Sequence, residues 1–142
     1  MRPNTDDAAA KGLEEGEERF RAIFDQSADA LFVHDATGRI VDCNAQACRS
    51  LGYTPEEMLS RSVKDFATNL TSETEGGAGK GGSLWKRAMA DKPGLLAGAH
   101  FGEHRRKDGT TFPVEVLVSG VDFGENRMIL ASVRDVTERR EA

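Results

Sequence analysis

Lys107-Asp108-Gly109-Thr110-Thr111-Phe112-Pro113-Val114-Glu115-Val116-Leu117-Val118-Ser119 is the stretch whose reading decides the fold. Asp108-Gly109 allows the positive φ that a tight hairpin needs. After it, Val114, Val116 and Val118 alternate with Glu115, Leu117 and Ser119, the period of two of a strand with one face on a core. The hairpin predicts strands over 95–106 and 110–121. A third strand is read over 127–136, where Ile129, Ala131 and Val133 alternate with Met128, Leu130 and Ser132. Both of its faces are mostly apolar, so it is expected in a central position. A meander of this kind needs a helical layer over one face, which the first half of the chain must supply.

Working back from the meander, helical period shows at Phe20, Ile23 and Phe24, with Leu13 seven residues earlier on the same face. Residues 1–12 carry no large apolar side chain after Met1 and are expected to be disordered or loosely helical, so 1–16 is set apart as a flexible tail and helix start. Ala30 to His34 reads as a strand, Asp35-Ala36-Thr37-Gly38 as a turn, and 39–43 as the return strand. Asn44 suits the N-cap of a helix over 45–51, stopped by Gly52. Thr54-Pro55-Glu56-Glu57 is a capping box with proline at the first helical position. It opens a short helix carrying Met58 and Leu59, and Val63 and Phe66 continue the apolar face through another turn. Residues 72–82 hold five glycines and read as a flexible loop. A phosphate loop would need glycine at Thr74 and a hydroxyl residue at Gly81, so that motif fails. Ser83 is expected to cap a helix ending at 91, with Leu84, Trp85, Ala88 and Met89 on its apolar face.

At 142 residues the chain is one domain, and a net charge of −5 argues against a nucleic-acid partner. The basic run His104-Arg105-Arg106-Lys107 is read as a solvated turn. No apolar run approaches a membrane span and no signal-peptide core is present, so a cytoplasmic location is expected. Cys43 and Cys48 match neither a zinc knuckle nor a redox CxxC, and two reduced, partly buried thiols are expected, with Cys48 inert on a core-facing helix.

Four stretches together resemble a PAS domain of the kind found in bacterial signalling proteins, over residues 17–140. They are Phe20-Arg21-Ala22-Ile23-Phe24-Asp25; Asp35 to Ile40 with Asn44; Leu51-Gly52-Tyr53-Thr54-Pro55-Glu56-Glu57-Met58; and His104 to Gly109 with Phe112 to Val116. Arg134-Asp135-Val136-Thr137-Glu138-Arg139 is similar to the Asp-Ile-Thr junction that closes such domains. The resemblance implies an α+β fold: a five-stranded antiparallel sheet in the order 2-1-5-4-3, short helices over one face and an amphipathic helix in front. It sets the domain at 17–137, with 138–142 starting a C-terminal linker helix.

The resemblance further implies a sensory, signal-transducing module that relays through its terminal helices, with no catalysis of its own. A histidine kinase or cyclase is the effector expected, as in two-component systems. The expected pocket wall is Leu31, Val33, Leu51, Met58, Phe66, Leu84, Met89, Ile129 and Ala131, which would serve equally as a filled core. Covalent flavin chemistry is disfavoured because Val63 stands where a light-oxygen-voltage domain has its cysteine. Haem is disfavoured because the helix before the third strand lacks histidine. His100 and His104 share a strand face but lack a third metal ligand. Asp135 and Thr137 are the expected signalling junction, with the Thr137 hydroxyl capping a helix begun by Glu138. A homodimer through the N-terminal helix and the sheet face is expected. The alternatives are a ligand-free dimerisation module and a non-covalent flavin or haem sensor.

Overall fold

A computed structural model describes residues 5–67, 80–90 and 96–138. In chain order the elements are α1 Thr5–Gln26, β1 Ala30–His34, β2 Ile40–Cys43, α2 Ala45–Leu51, α3 Pro55–Leu59, a 3-10 turn Val63–Asp65, α4 Lys80–Ala90, β3 Leu96–Arg105, β4 Thr111–Phe123 and β5 Asn126–Asp135. Among the described residues the strands form one antiparallel sheet in the order β2-β1-β5-β4-β3. The order and the central place of β5 agree with the expectation from the sequence.

The local signals act as their chemistry requires. Thr54 accepts from Glu57 N at 3.1 Å while Glu57 accepts from Thr54 N at 3.0 Å, closing the capping box. Gly52, at φ 83°, ends α2 by donating its N–H to Cys48 O. Two helices are longer than their sequence signals. α1 already runs at Thr5, ahead of the periodic residues, and α4 starts at Lys80, so Ser83 lies inside the helix and is not its cap. Packing of Trp85, Ala88 and Met89 on the core outweighs the roughly 1 kcal/mol that each early glycine costs. Residues 72–79 of the expected loop lie outside the described residues.

The helical layer covers one sheet face. Phe32, Ile40, Leu51, Met58, Phe66, Val114, Val118 and Ile129 are all at most 2% exposed, and they form one cluster with Ala88 and Val116. Gly120 is what lets α4 lie so close to β4. A Cβ there would sit 2.2 Å from Ala88 O, so glycine alone leaves room for the helix backbone. Arg127 holds the same helix end, donating to Ala88 O at 3.2 Å and Met89 O at 3.0 Å.

The basic run is not a simple solvated turn. His104 is buried in the core, Arg106 donates to Ser50 O and covers the Phe112 ring at 4.2 Å, and Lys107 pairs with Glu57 at 2.6 Å. The β3–β4 hairpin tip thereby reaches back to α2 and α3, which a reading of exposure from charge alone missed.

Candidate functional site

Between the sheet and the helices lies a cavity of about 20 Å³, lined among others by Phe32, His34, Phe66, Trp85, His104 and Ala131. That is room for roughly one water, far below the several hundred Å³ of a typical ligand pocket. β1 brings Phe32 and His34 to it, α4 brings Trp85, and the 3-10 turn brings Val63 and Phe66. Val63 therefore stands on the cavity wall. Trp85 closes the space, its ring 4.8 Å from that of His34. It rests on the β1–β2 turn, where a Cβ at Gly38 would meet the Trp85 ring at 3.2 Å.

His34 is 1% exposed. Its Nδ1 lies 2.7 Å from Asp35 O, so Nδ1 carries the proton and donates, and Nε2 is left as an acceptor. Burial is the largest influence on this imidazole and lowers its pKa below the ordinary 6.5, against a smaller raising effect of the Asp35 carbonyl. His104 sits edge-on to Phe32, Phe66 and Phe112, with centroid distances of 6.3, 5.1 and 6.2 Å. The cavity is thus an aromatic box with the His34 imidazole at its rim.

The residues expected from the sequence as a pocket wall fall at different places in the fold. Phe66 and Ala131 line the cavity, while Leu51, Met58 and Ile129 are buried in the core away from it, and Met89 packs half-buried against that core. Leu31 and Val33 do not line it. Strand alternation turns them to the opposite face from Phe32 and His34, which occupy the positions expected of them. The side chains of Leu84 and His100 lie outside the described residues. His34, His104 and Trp85 were not singled out together because three separate elements bring them to the same cavity. Among the described residues no three His, Cys, Asp or Glu side chains gather as a metal-ligand set.

The entry to the domain and the exit from it are held at defined points. At the entry, Asn44 is 1% exposed and fully engaged. Its Oδ1 accepts from Leu31 N and Ala47 N, both at 2.9 Å, and its Nδ2 donates to Phe24 O at 2.8 Å and Asp29 O at 3.0 Å. One side chain therefore ties α1, its linker, β1 and α2 together. At the exit, Asp135 Oδ1 accepts from Thr137 N at 2.9 Å and from the Thr137 hydroxyl. The hydroxyl that was expected to cap the next helix donates to Asp135 instead, and Thr137 already lies in the helical turn.

The same Asp-x-Thr device occurs at Asp35–Thr37 and Asp108–Thr110, in the β1–β2 and β3–β4 hairpin turns. At Asp35 burial pushes the carboxyl up, but hydrogen bonds from Thr37 and Arg39 outweigh it and leave the pKa lowered. At Asp108 the Thr110 bonds dominate, again lowering it.

Comparison with known proteins agrees with this geometry. A PAS domain family model matches residues 28–138. The chain belongs to the PAS domain family. A methyl sulfide methyltransferase-associated sensor of Methanosarcina acetivorans is 32% identical over 94% of this PAS chain, which spans 12% of that protein. Sporulation kinase E of Bacillus subtilis is 39% identical over 38% of the chain, matching 7% of its own length. The PAS domain of an HTR-like protein from Haloarcula marismortui superposes with a TM-score of 0.72 at 29% identity, covering 91% of this chain and 98% of that one. Within this PAS domain no described helix is long and apolar enough to cross a membrane.

Proposed function

We propose that this PAS domain is the sensory input of a longer signalling protein and that the cavity under Trp85 is its receptor site. The observation that carries the proposal is the buried imidazole of His34, whose Nε2 is left as an acceptor at the edge of a small aromatic space. An occupant of matching chemistry is small, with a hydrogen-bond donor for His34 and an apolar body for Phe32 and Phe66. Anything larger than water must push Trp85 outward, and with it α4, because the closed space is so small. The relay then runs from α4 across the sheet to the held entry and exit, Asn44 with α1 and Asp135 with Thr137. The effector is a kinase, by analogy with sporulation kinase E, a protein many times longer than this chain. A mimic of occupancy tests the proposal. Ala131→Leu puts a larger side chain into the cavity and, in a fusion to a histidine kinase, should fix output at one level. A folded Ala131→Leu variant with wild-type output would overturn it.

A second reading, a dimerisation module without a ligand, is favoured by α1. Leu13, Phe20 and Ile23 are 69%, 49% and 72% exposed, and only Phe24 of that apolar face is buried. A second copy of the chain would cover this face together with the outer sheet residues Phe101 and Leu117. Sedimentation of wild type beside Ile23→Lys separates the readings. A concentration-dependent dimer lost in the variant supports it, and a monomer at high concentration refutes it.

A further inference from the structure

Cys43 is the last residue of β2 and Cys48 lies in α2, on either side of the Asn44 anchor. Their Sγ atoms are 3.7 Å apart, and both thiols are free and half-buried. They line a surface groove whose other walls include Arg21, Asp25, Asp42 and Arg49. Three of those residues also hold α1 in place. Arg21 pairs with Asp42 at 3.0 Å, and Asp25 Oδ1 accepts from Ala45 N at 3.1 Å. The dithiol therefore sits at the point where the entry helix meets the domain.

We propose that Cys43 and Cys48 are a modification site that closes into a reversible intramolecular disulfide and thereby alters how α1 is held. A disulfide has a sulfur separation of about 2.0 Å, so the corner must tighten by roughly 1.7 Å around Asn44. The oxidant is a low-molecular-weight disulfide. The Cys48 thiolate attacks one of its sulfurs, forming a mixed disulfide and expelling one thiolate. Cys43 loses its proton to solvent and attacks the Cys48 sulfur, expelling the second. The two cysteines give up two protons and two electrons, and the oxidant leaves as two thiols.

Geometry favours the ring, while burial slows it. Burial pushes the Cys43 thiol up to about 12, with Cys48 nearby adding to the rise. Burial also raises Cys48, partly offset by the hydrogen bond from Cys43. Cys48 is therefore the attacking sulfur, and the reaction should accelerate about tenfold per pH unit while the thiolate is the scarce species.

The test treats the full chain with oxidised glutathione at pH 7.5 and pH 8.5, followed by intact mass and peptide mapping. The expected product has lost two hydrogens and carries a 43–48 cross-link, forms about tenfold faster at the higher pH and reverts with dithiothreitol. Cys43→Ser should stop at a stable mixed disulfide on Cys48. Hydrogen exchange in the residues joining α1 to β1 should rise in the cross-linked form. A stable mixed disulfide on the wild-type chain, or no modification at either pH, overturns the site. A cross-link that leaves exchange around Phe24 and Leu31 unchanged overturns its effect on α1.

Discussion

Replacing Asn44 by alanine separates a hub from an ordinary helix cap. A plain N-cap substitution costs about 1 kcal/mol. Here the same change also strands Leu31 N, a backbone donor in the central part of the sheet, at about 1–3 kcal/mol. It further removes the donor that Phe24 O and Asp29 O share, which adds about 1 kcal/mol. The sum is about 3–5 kcal/mol, a large part of the roughly 5–15 kcal/mol that stabilises a typical domain. Urea denaturation followed by circular dichroism reads it directly, as a fall in midpoint of about 1 M or more. Asn44→Asp keeps both acceptor bonds but sets a carboxylate against two carbonyls, and it should be damaged to a similar degree. A cost near 1 kcal/mol for Asn44→Ala would refute the hub and leave only a cap.

Gly120→Ala drives a Cβ into Ala88 O and should cost about 1–3 kcal/mol; an unchanged melting temperature and unchanged Trp85 emission would contradict the close approach of α4 to β4. His34 has a folded-state pKa below 6.5, so above that pH both states are neutral and the group has no effect on stability. As pH falls below 6.5 the unfolded chain takes up the proton first, and stability drops by at most about 1.4 kcal/mol per pH unit. Denaturation midpoints at pH 7.5, 6 and 5 should show this slope in wild type and lose His34's share of it in His34→Phe; parallel curves would contradict the burial argument, with His104 and Asp35 unchanged in both proteins. Asp135→Ala with Thr137→Ala should uncouple a fused kinase while leaving the fold intact, and a response equal to wild type would reduce this junction to the structural turn seen at Asp35 and Asp108.

The parts of the fold written in local chemistry were legible in the sequence. Asp108-Gly109 set the β3–β4 register, Thr54 to Glu57 marked α3, and Asn44 with Gly52 bracketed α2. The cavity was less legible because β1 reads Ala-Leu-Phe-Val-His, apolar at four positions of five, so alternation gives no parity. Leu31 and Val33 were expected on the pocket side, and the presence of Phe32 and His34 in the cavity lining reverses that assignment. The bulge between Val33 and His34 also breaks the simple register with β2. The meeting of His34, Trp85 and His104 depends on contacts between distant segments, which no local pattern encodes. The double duty of Asn44 was hidden for the same reason: an N-cap is read from neighbours in sequence, whereas Phe24 and Asp29 lie 20 and 15 residues away.

Native mass spectrometry of the freshly purified chain, beside its denatured mass and its His34→Phe variant, tests the receptor site most directly. A small molecule held non-covalently by wild type, released on denaturation and absent from His34→Phe, is the predicted result. A bare native mass for the wild-type chain would contradict the claim and leave the space under Trp85 as packed core.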